Sequence, residues 1–213
     1  MTSLVDNDIV LKVSCYGLVD EILLPVCESI ELAGVLGTMK FVVSRRIRRL
    51  GLNGGPDEAI ACLESLLERI AVIEPTDEEQ RMAADFELNA QRAGVSLDAG
   101  ESQLCALAVT RSIPRLLTGD KRAIAGLDVL LEQDQRLSEL CGKLYCLEHL
   151  VSKALSADSA GTIRNAICAQ GAVDKTLAIC FSCRNEPQPE VTAQCLESYM
   201  RDLRIRAPRM LAT

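Results

Sequence analysis

Aromatic residues are scarce in this sequence, which has three Phe, three Tyr and no Trp among 213 residues. Proteins that bind unpaired nucleotides commonly stack the bases on aromatic rings, so base stacking is a poor candidate for any nucleic-acid binding mode here. A formal net charge of −7 argues against a general polyanion binder, because neutralising phosphates requires clustered Lys and Arg. The charge does not exclude a nuclease, whose metal site itself requires carboxylates.

Long apolar runs are also missing from the sequence. No uninterrupted apolar run approaches the ~18 residues needed to cross a bilayer, and no basic-plus-apolar leader is recognisable near the first residue. We therefore expect a soluble, cytoplasmic protein with no membrane partner.

Several common site motifs are absent as well. His149 is the only histidine, and no elbow-type Ser or Cys motif accompanies it, so triad catalysis has no support. No Gly-x-x-x-x-Gly-Lys phosphate loop occurs. Cys180 and Cys183 form the one Cys-x-x-Cys motif, whereas a zinc site needs about four ligands at matched spacing.

Cysteine, by contrast, is plentiful, with ten residues. Several of them, including Cys62, Cys105 and Cys168, lie in apolar helical patterns, where a reduced Cys behaves as a small hydrophobe. Disulfide frameworks belong mainly to short secreted chains. We therefore expect buried free thiols.

Short apolar runs alternate with helical patterns along most of the chain. The helical patterns include one over residues 19–33, which contains Pro25. This alternation predicts an α/β fold, with a parallel sheet sandwiched by helices. The predicted strands are residues 3–6, 71–73, 114–118 and 142–147.

The sequence changes in character after about residue 156. Residues 1–156 are expected to form the α/β domain, and residues 157–213 to form a helical C-terminal extension packed on it. Within the extension, Glu186-Pro187-Gln188-Pro189 is predicted to be a hinge before a last helix.

Carboxylates stand where two predicted strands end and where one helix begins. Asp6 follows the first strand and Asp120 the third, while Asp98 and Glu101 fall in the first turn of a helix predicted from about residue 99. Asp98 and Glu101 could equally form a capping box. Ligand sites of open parallel sheets gather at the carboxyl ends of strands, so Asp6 and Asp120 can share one crevice. Converging carboxylates repel each other unless a cation joins them, and this favours a hard divalent metal.

Three segments carry a resemblance to a known family. Asp6-Asn7-Asp8 is similar to an opening Asp-Ser/Thr-Asn motif, with Asp8 in place of the usual Asn. Gly100-Glu101, before Gln103-Leu104-Cys105-Ala106, resembles a helix start that supplies a later acid. Thr118-Gly119-Asp120-Lys121 is similar to a closing motif. Together and in this order, the segments resemble the PIN-domain ribonucleases, over about residues 3–150.

The resemblance implies a PIN-like sheet and an endoribonuclease that hydrolyses RNA phosphodiesters with Mg²⁺ or Mn²⁺. Asp6, Glu101 and Asp120 would be catalytic, and these three with Asp98 would bind the metal, which activates a water and neutralises developing charge. The auxiliary residues would be Asp8, Thr118 and Lys121, with Lys121 holding a substrate phosphate.

The chain departs from the family in one region. Where PIN domains normally have a second acid, a Glu, this sequence has Val43-Ser44-Arg45-Arg46-Ile47. An Arg at that position would remove one ligand and repel the cation, a loss for which Glu28, Glu31 or Asp98 could compensate.

The same region contains the densest basic cluster in the chain. Its members are Arg45, Arg46, Arg48 and Arg49. They form either a solvated helix face or an electropositive rim that binds RNA phosphates beside the acidic site.

Two other functions stay open from the sequence. Asp6-Asn7-Asp8 also resembles the nucleophile motif of haloacid-dehalogenase-type phosphatases, although Ile9-Val10 follows it and Glu101 is left unexplained. Alternatively, the chain is a catalytically degenerate PIN-like module whose helical tail binds a partner. Many PIN proteins are toxins of toxin–antitoxin pairs, so an antitoxin or other protein partner, or a homodimer, belongs among the expectations.

Overall fold

A five-stranded parallel sheet forms the centre of the molecule in the computed structural model, which describes residues 1–156, 159–185 and 189–212. The strands are β1 (Ser3–Val5), β2 (Ala33–Leu36), β3 (Ala71–Ile73), β4 (Leu116–Leu117) and β5 (Leu144–Tyr145). Their order across the sheet is β3-β2-β1-β4-β5, and each neighbouring pair is parallel. The central strand β1 and its neighbour β4 are the two strands that end at predicted site acids.

Helices cover both faces of this sheet. Two short 3-10 helices, Ile30–Leu32 and Gln135–Leu140, supplement them. The α-helices are α1 (Asn7–Tyr16), α2 (Val19–Cys27), α3 (Met39–Ile47), α4 (Asp57–Leu67), α5 (Asp77–Ala93), α6 (Ala99–Thr110), α7 (Lys121–Leu130), α8 (Leu147–Ala154), α9 (Ala160–Ala169), α10 (Lys175–Cys180) and α11 (Pro189–Arg206). The predicted α/β class with a parallel sheet flanked by helices is confirmed.

The core consists of two apolar clusters, one on each side of the sheet. Successive residues of a strand point to opposite faces, so Leu4 belongs to one cluster and its neighbour Val5 to the other. Helices α1 to α4 and α8 pack on the Val5 side, and α5 to α7 on the Leu4 side. Strands β1, β2 and β4 are therefore buried on both faces, which explains why they are continuously apolar in sequence, whereas Ala71 and Val72 of the edge strand β3 are exposed.

The start of the first helix holds Asp6, the acid at the end of β1, in place. Asp6 has extended backbone angles and caps α1, because its carboxylate accepts hydrogen bonds from the backbone N–H groups of Asn7 and Asp8. At the other end, Gly17 adopts a left-handed conformation with φ 65° and closes the helix.

The region after α2 differs from the sequence prediction. The helix predicted over residues 19–33 ends at Cys27, where Glu28 has φ 67°, and Ala33–Leu36 forms the unpredicted strand β2. An apolar run of this length does not distinguish a buried strand from the end of a helix by its periodicity. A Cβ on Gly34 would collide with the Ile73 side chain, so the glycine permits the close packing of β2 and β3.

The C-terminal segment packs closely on the sheet domain. Leu211 forms a parallel bridge with Leu144 of β5, and the guanidinium of Arg209 donates to Asp128 Oδ2 over 2.8 Å. These contacts do not test the predicted division of the chain at residue 156, which stays a prediction. Of the predicted hinge Glu186-Pro187-Gln188-Pro189, the first three residues lie outside the described residues, and Pro189 is the first residue of α11.

The prediction of buried free thiols is wrong for one pair of cysteines and for Cys141, which is free but exposed. Cys168 at the end of α9 and Cys183, just after α10, form a disulfide, while the other eight cysteines are free. Cys180 and Cys195 also approach each other, with 2.7 Å between their sulfur atoms.

Within the described parts of the chain, no helix combines the length and the apolar character needed to cross a membrane.

Candidate active site

An open cavity of 960 Å³ lies where β1 and β4 end. Its lining includes carboxylates from segments that are distant in sequence, together with three cationic side chains, Arg46, Lys121 and Arg122. The carboxylates are those of Asp6, Asp8, Asp98, Glu101, Asp120 and Asp174. The fold thus brings Asp6, Asp98, Glu101 and Asp120, which the sequence analysis selected, to one cavity.

Asp6 is the most buried of these acids, with 7% of its surface exposed. In addition to the two backbone N–H groups of α1, its carboxylate accepts a hydrogen bond of 3.3 Å from the Thr118 hydroxyl at the end of β4. Burial, together with the negative charges of Asp8 and Asp98, raises the pKa of Asp6 to about 6 against the effect of the backbone donors. The carboxylate is therefore held rigidly in an environment that opposes its charge.

Asp98 and Glu101 form the capping box that the sequence allowed. The Glu101 N–H donates to Asp98 and the Asp98 N–H donates to the Glu101 carboxylate, each over 2.8 Å. Burial raises the pKa of Glu101 to about 7, and the charges of Asp98, Asp120 and Asp6 raise it as well. These charge interactions show that the acids from three segments are close enough to repel one another.

Asp120 begins α7 and is partly neutralised by the residue two positions later. Its carboxylate accepts hydrogen bonds from the backbone N–H groups of Arg122 and Ala123, and the Arg122 guanidinium contacts it at 2.8 Å. Burial acts to raise the pKa of Asp120, but these donors outweigh it and the pKa is lowered. Asp120 thus differs from Asp6 and Glu101, whose pKa values are raised.

Asp8 has direct cationic partners. Lys12 Nζ lies 2.6 Å from one of its oxygens, and the Arg46 guanidinium lies 3.4 Å from the other. Lys12 also binds Asp174, the capping residue of α10, over 2.8 Å. A Cβ on Gly119 would collide with the Asp8 carboxylate, so this glycine lets the β4–α7 turn approach α1.

Lys12 and Asp174 were not selected from the sequence. Lys12 could have been found, because it stands four residues after Asp8 on the same face of a helix. Asp174 could not, since it reaches the cavity only through the packing of the C-terminal helices.

Lys121 forms an ion pair that the sequence analysis did not predict. Its side chain lines the cavity but forms an ion pair with Glu148, which is 1% exposed, and its ammonium lies 4.8 Å from the centre of the Tyr199 ring. Glu148 was also missed from the sequence, because nothing near it in the chain suggests a buried acid. Lys121 is thus anchored at the edge of the cavity by a buried carboxylate.

The predicted basic cluster is divided between two surfaces. Arg46 points to the cavity and binds Asp8. Arg45, Arg48 and Arg49 are exposed on α3 and the turn after it, and none of the three forms an ion pair with any residue that the structure describes. Of the three acids considered as replacements for the missing Glu, Asp98 lines the cavity, whereas Glu28 binds Arg115 and Glu31 binds Arg69.

The carboxylate oxygens of the cavity can be compared with the ligands that a divalent cation requires. Over residues 1–156, 159–185 and 189–212, no group of three or more His, Cys, Asp or Glu side chains stands at the spacing of metal ligands. Oxygen donors nevertheless suit Mg²⁺ and Mn²⁺. Asp6 and Glu101 form no ion pair with a described residue, and a carboxylate that accepts backbone hydrogen bonds keeps further lone pairs. The residues that could hold a cation are therefore Asp6, Glu101, Asp120 and Asp98.

When the chain was compared with known proteins, no protein-family model matched it and no curated protein matched its sequence.

Proposed function

We propose that the protein is a metal-dependent ribonuclease of PIN-like type that hydrolyses RNA phosphodiester bonds. The observation that carries the proposal is the convergence of Asp6, Glu101 and Asp120 on one open cavity, with two of the three lacking a cationic partner among the described residues. The strand order β3-β2-β1-β4-β5, with acids after β1 and β4, supports a PIN-like arrangement of the sheet.

The proposed chemistry assigns a distinct task to each group. Asp6, Glu101 and Asp120, with Asp98 beside them, would hold Mg²⁺ or Mn²⁺. The cation, when bound, supplies an activated water and neutralises charge on the phosphodiester. Thr118 fixes the orientation of Asp6 through its hydroxyl.

Cationic side chains around the cavity would position the substrate. Arg46 and Arg122 line the cavity, and a guanidinium can bind two phosphate oxygens at once. Arg46 occupies the region of the missing family acid and contacts Asp8, so it would act on the phosphate and not as a ligand. Lys121 would hold the adjacent surface through its ion pair with Glu148.

Cleavage of RNA by an Asp6→Asn variant tests the proposal. Asn keeps the shape of the side chain and can still cap α1, but it removes a charged ligand. We expect Mn²⁺-dependent cleavage of a labelled RNA to fall at least about 100-fold, as losses at metal sites commonly do. Asp57→Asn, an exposed acid in the first turn of α4, is the matched control and should cleave at the wild-type rate. Equal cleavage by the Asp6→Asn and wild-type proteins would remove this site from the reaction.

A second candidate function is a catalytically degenerate PIN-like module that binds a partner. It is favoured by the hydrogen bonds of the acids themselves, since Asp98 and Glu101 satisfy each other as a capping box and Asp120 is paired with Arg122. This candidate predicts no cleavage of RNA by the wild-type protein in the presence of Mn²⁺. The same assay therefore separates the two functions.

A further inference from the structure

The helix α3 and the turn after it contain a cluster of basic residues with no acidic residue near it in sequence, and the helix also exposes an aromatic ring. Between Glu31 and Asp57 the sequence contains no acidic residue, but it contains Lys40 and the four arginines of the basic cluster. On this helix Phe41 is 75% exposed, although most aliphatic residues around it are buried. An exposed Phe in a chain with only three is a feature that packing does not explain.

The arrangement of residues on α3 places this ring next to both the basic cluster and the cavity. Thr38, Val42 and Arg46 recur every four residues and line the cavity. Phe41 and Arg45, each one position earlier, form the adjacent exposed stripe, which Arg48 continues. The nine residues of α3 span about 13 Å, so a ligand on the stripe is within a few nucleotides of the acids.

We infer that the stripe formed by Phe41, Arg45 and Arg48 binds single-stranded RNA, with phosphates on the arginines and one base stacked on the exposed Phe41 ring. The inference departs from the expectation, drawn from the few aromatic residues in the sequence, that base stacking is a poor binding mode for this chain. This inference rests on the proposed function and specifies its substrate class. Charge complementarity identifies the occupant as a polyanion, because Arg45 and Arg48 have no acidic partner among the described residues. The ring then selects an unpaired strand, since a duplex presents phosphates but keeps its bases stacked inside.

Binding and cleavage can be measured separately, which keeps this inference distinct from the proposed function. Binding is measured by fluorescence anisotropy in the Asp6→Asn background, where RNA stays intact, with a labelled single strand and a labelled duplex of equal length. We expect Phe41→Ala to weaken binding of the single strand about 10-fold, the value of one stacked base, and to leave duplex binding unchanged. Phe41→Trp should preserve single-strand binding, and Phe41→Leu, which keeps apolar bulk without a ring, should not.

Two controls identify what the stripe contributes. Ile205→Ala removes another apolar side chain that is 76% exposed, and it should bind the single strand like the parent protein. Arg45→Gln with Arg48→Gln should weaken binding of both RNAs and reduce its dependence on salt concentration, because phosphate contacts do not distinguish the two forms.

Several results would overturn the inference. They are unchanged single-strand binding by Phe41→Ala, an equal loss for single strand and duplex, or retention of binding by Phe41→Leu. A change in oligomeric state caused by Phe41→Ala, with RNA binding intact, would identify the stripe as a protein interface instead. Failure of the proposed function is detected in the separate cleavage assay. There, the Asp6→Asn variant would cleave RNA like the wild type, independently of any effect of Phe41 substitutions on binding.

Discussion

At the scale of single residues, the same carboxylate can be a structural cap and a candidate ligand. Asp6 caps α1, accepts a hydrogen bond from Thr118 and lines the cavity. Its position could be predicted because an acid directly after an apolar strand is conspicuous in sequence. The ion pairs of Lys121 with Glu148 and of Lys12 with Asp174 could not, since these acids approach the lysines only through tertiary packing.

The environment of Asp6 makes a prediction about stability and pH. Its pKa in the folded protein is about 6, above the ordinary value of 3.8, so the fold favours the protonated form. The stabilisation is fully present below about pH 4 and is lost as the pH rises through about 6. In metal-free buffer at about pH 8, Asp6→Asn should therefore be more stable than wild type by roughly 2–3 kcal/mol, the free energy of a shift of about two pKa units.

Urea denaturation at about pH 4 and about pH 8 measures this difference. At the lower pH, Asp6 is neutral in the folded protein and only partly ionised in the unfolded protein, so the two proteins should differ by no more than about 0.5 kcal/mol in their free energies of unfolding. A stability difference that does not change between the two pH values would contradict the raised pKa of Asp6.

At the scale of secondary-structure elements, α5 and α6 use the same motif in opposite electrostatic settings. Both helices begin with a capping box in which the third residue of the helix is a Glu, Glu79 in α5 and Glu101 in α6. Arg111 holds the pKa of Glu79 down to about 2, mainly through hydrogen bonds that outweigh burial. The pKa of Glu101, which has no such partner, is raised to about 7. A capping box alone therefore does not explain why the pKa of Glu101 is raised.

The Glu79 site makes a prediction with the opposite pH dependence. Glu79 is 4% exposed and binds Arg111 and the Thr110 hydroxyl, so Glu79→Gln should lower the free energy of unfolding by about 2 kcal/mol near neutral pH. Because the folded pKa is lowered, the stabilisation is present above about pH 4.5 and is lost as the pH falls toward 2.

Denaturation of Glu79→Gln and of Glu78→Gln, the exposed neighbour, provides the comparison. The Glu78 variant should differ from wild type by less than about 0.5 kcal/mol, as surface substitutions commonly do. If both variants lose the same stability, the Glu79–Arg111 pair is not the cause.

Elements with distinct sequence boundaries were predictable and the others were not. The capped starts of α5 and α6 match the prediction because a side-chain cap is a local signal, whereas α1 begins at Asn7, two residues before its predicted start near Ile9. The strand β2 was missed because its four buried residues follow an apolar helix and pair with β1 and β3 through long-range contacts. The prediction of free cysteines failed for Cys168 and Cys183 for the same reason, as their pairing depends on how α9 and α10 fold back.

At the scale of the whole molecule, the sheet determines which acids can meet. Parallel pairing of β1 with β4 brings together two strand ends that are more than one hundred residues apart, and α6 adds Glu101 to the same cavity. The C-terminal helices complete this side of the molecule, because Asp174 of the α9–α10 turn contacts Lys12. The proposed nuclease activity depends on this convergence more than on any one residue.

The most direct test of the convergence is calorimetric titration of Mn²⁺ into the purified wild-type protein and into the Asp6→Asn and Glu101→Gln variants. If the acids share a cation, the wild-type protein binds Mn²⁺ stoichiometrically, each variant binds at least about 10-fold more weakly, and Asp57→Asn binds as the wild type does. Wild-type protein that shows no saturable Mn²⁺ binding, or variants that bind it equally well, would contradict the account.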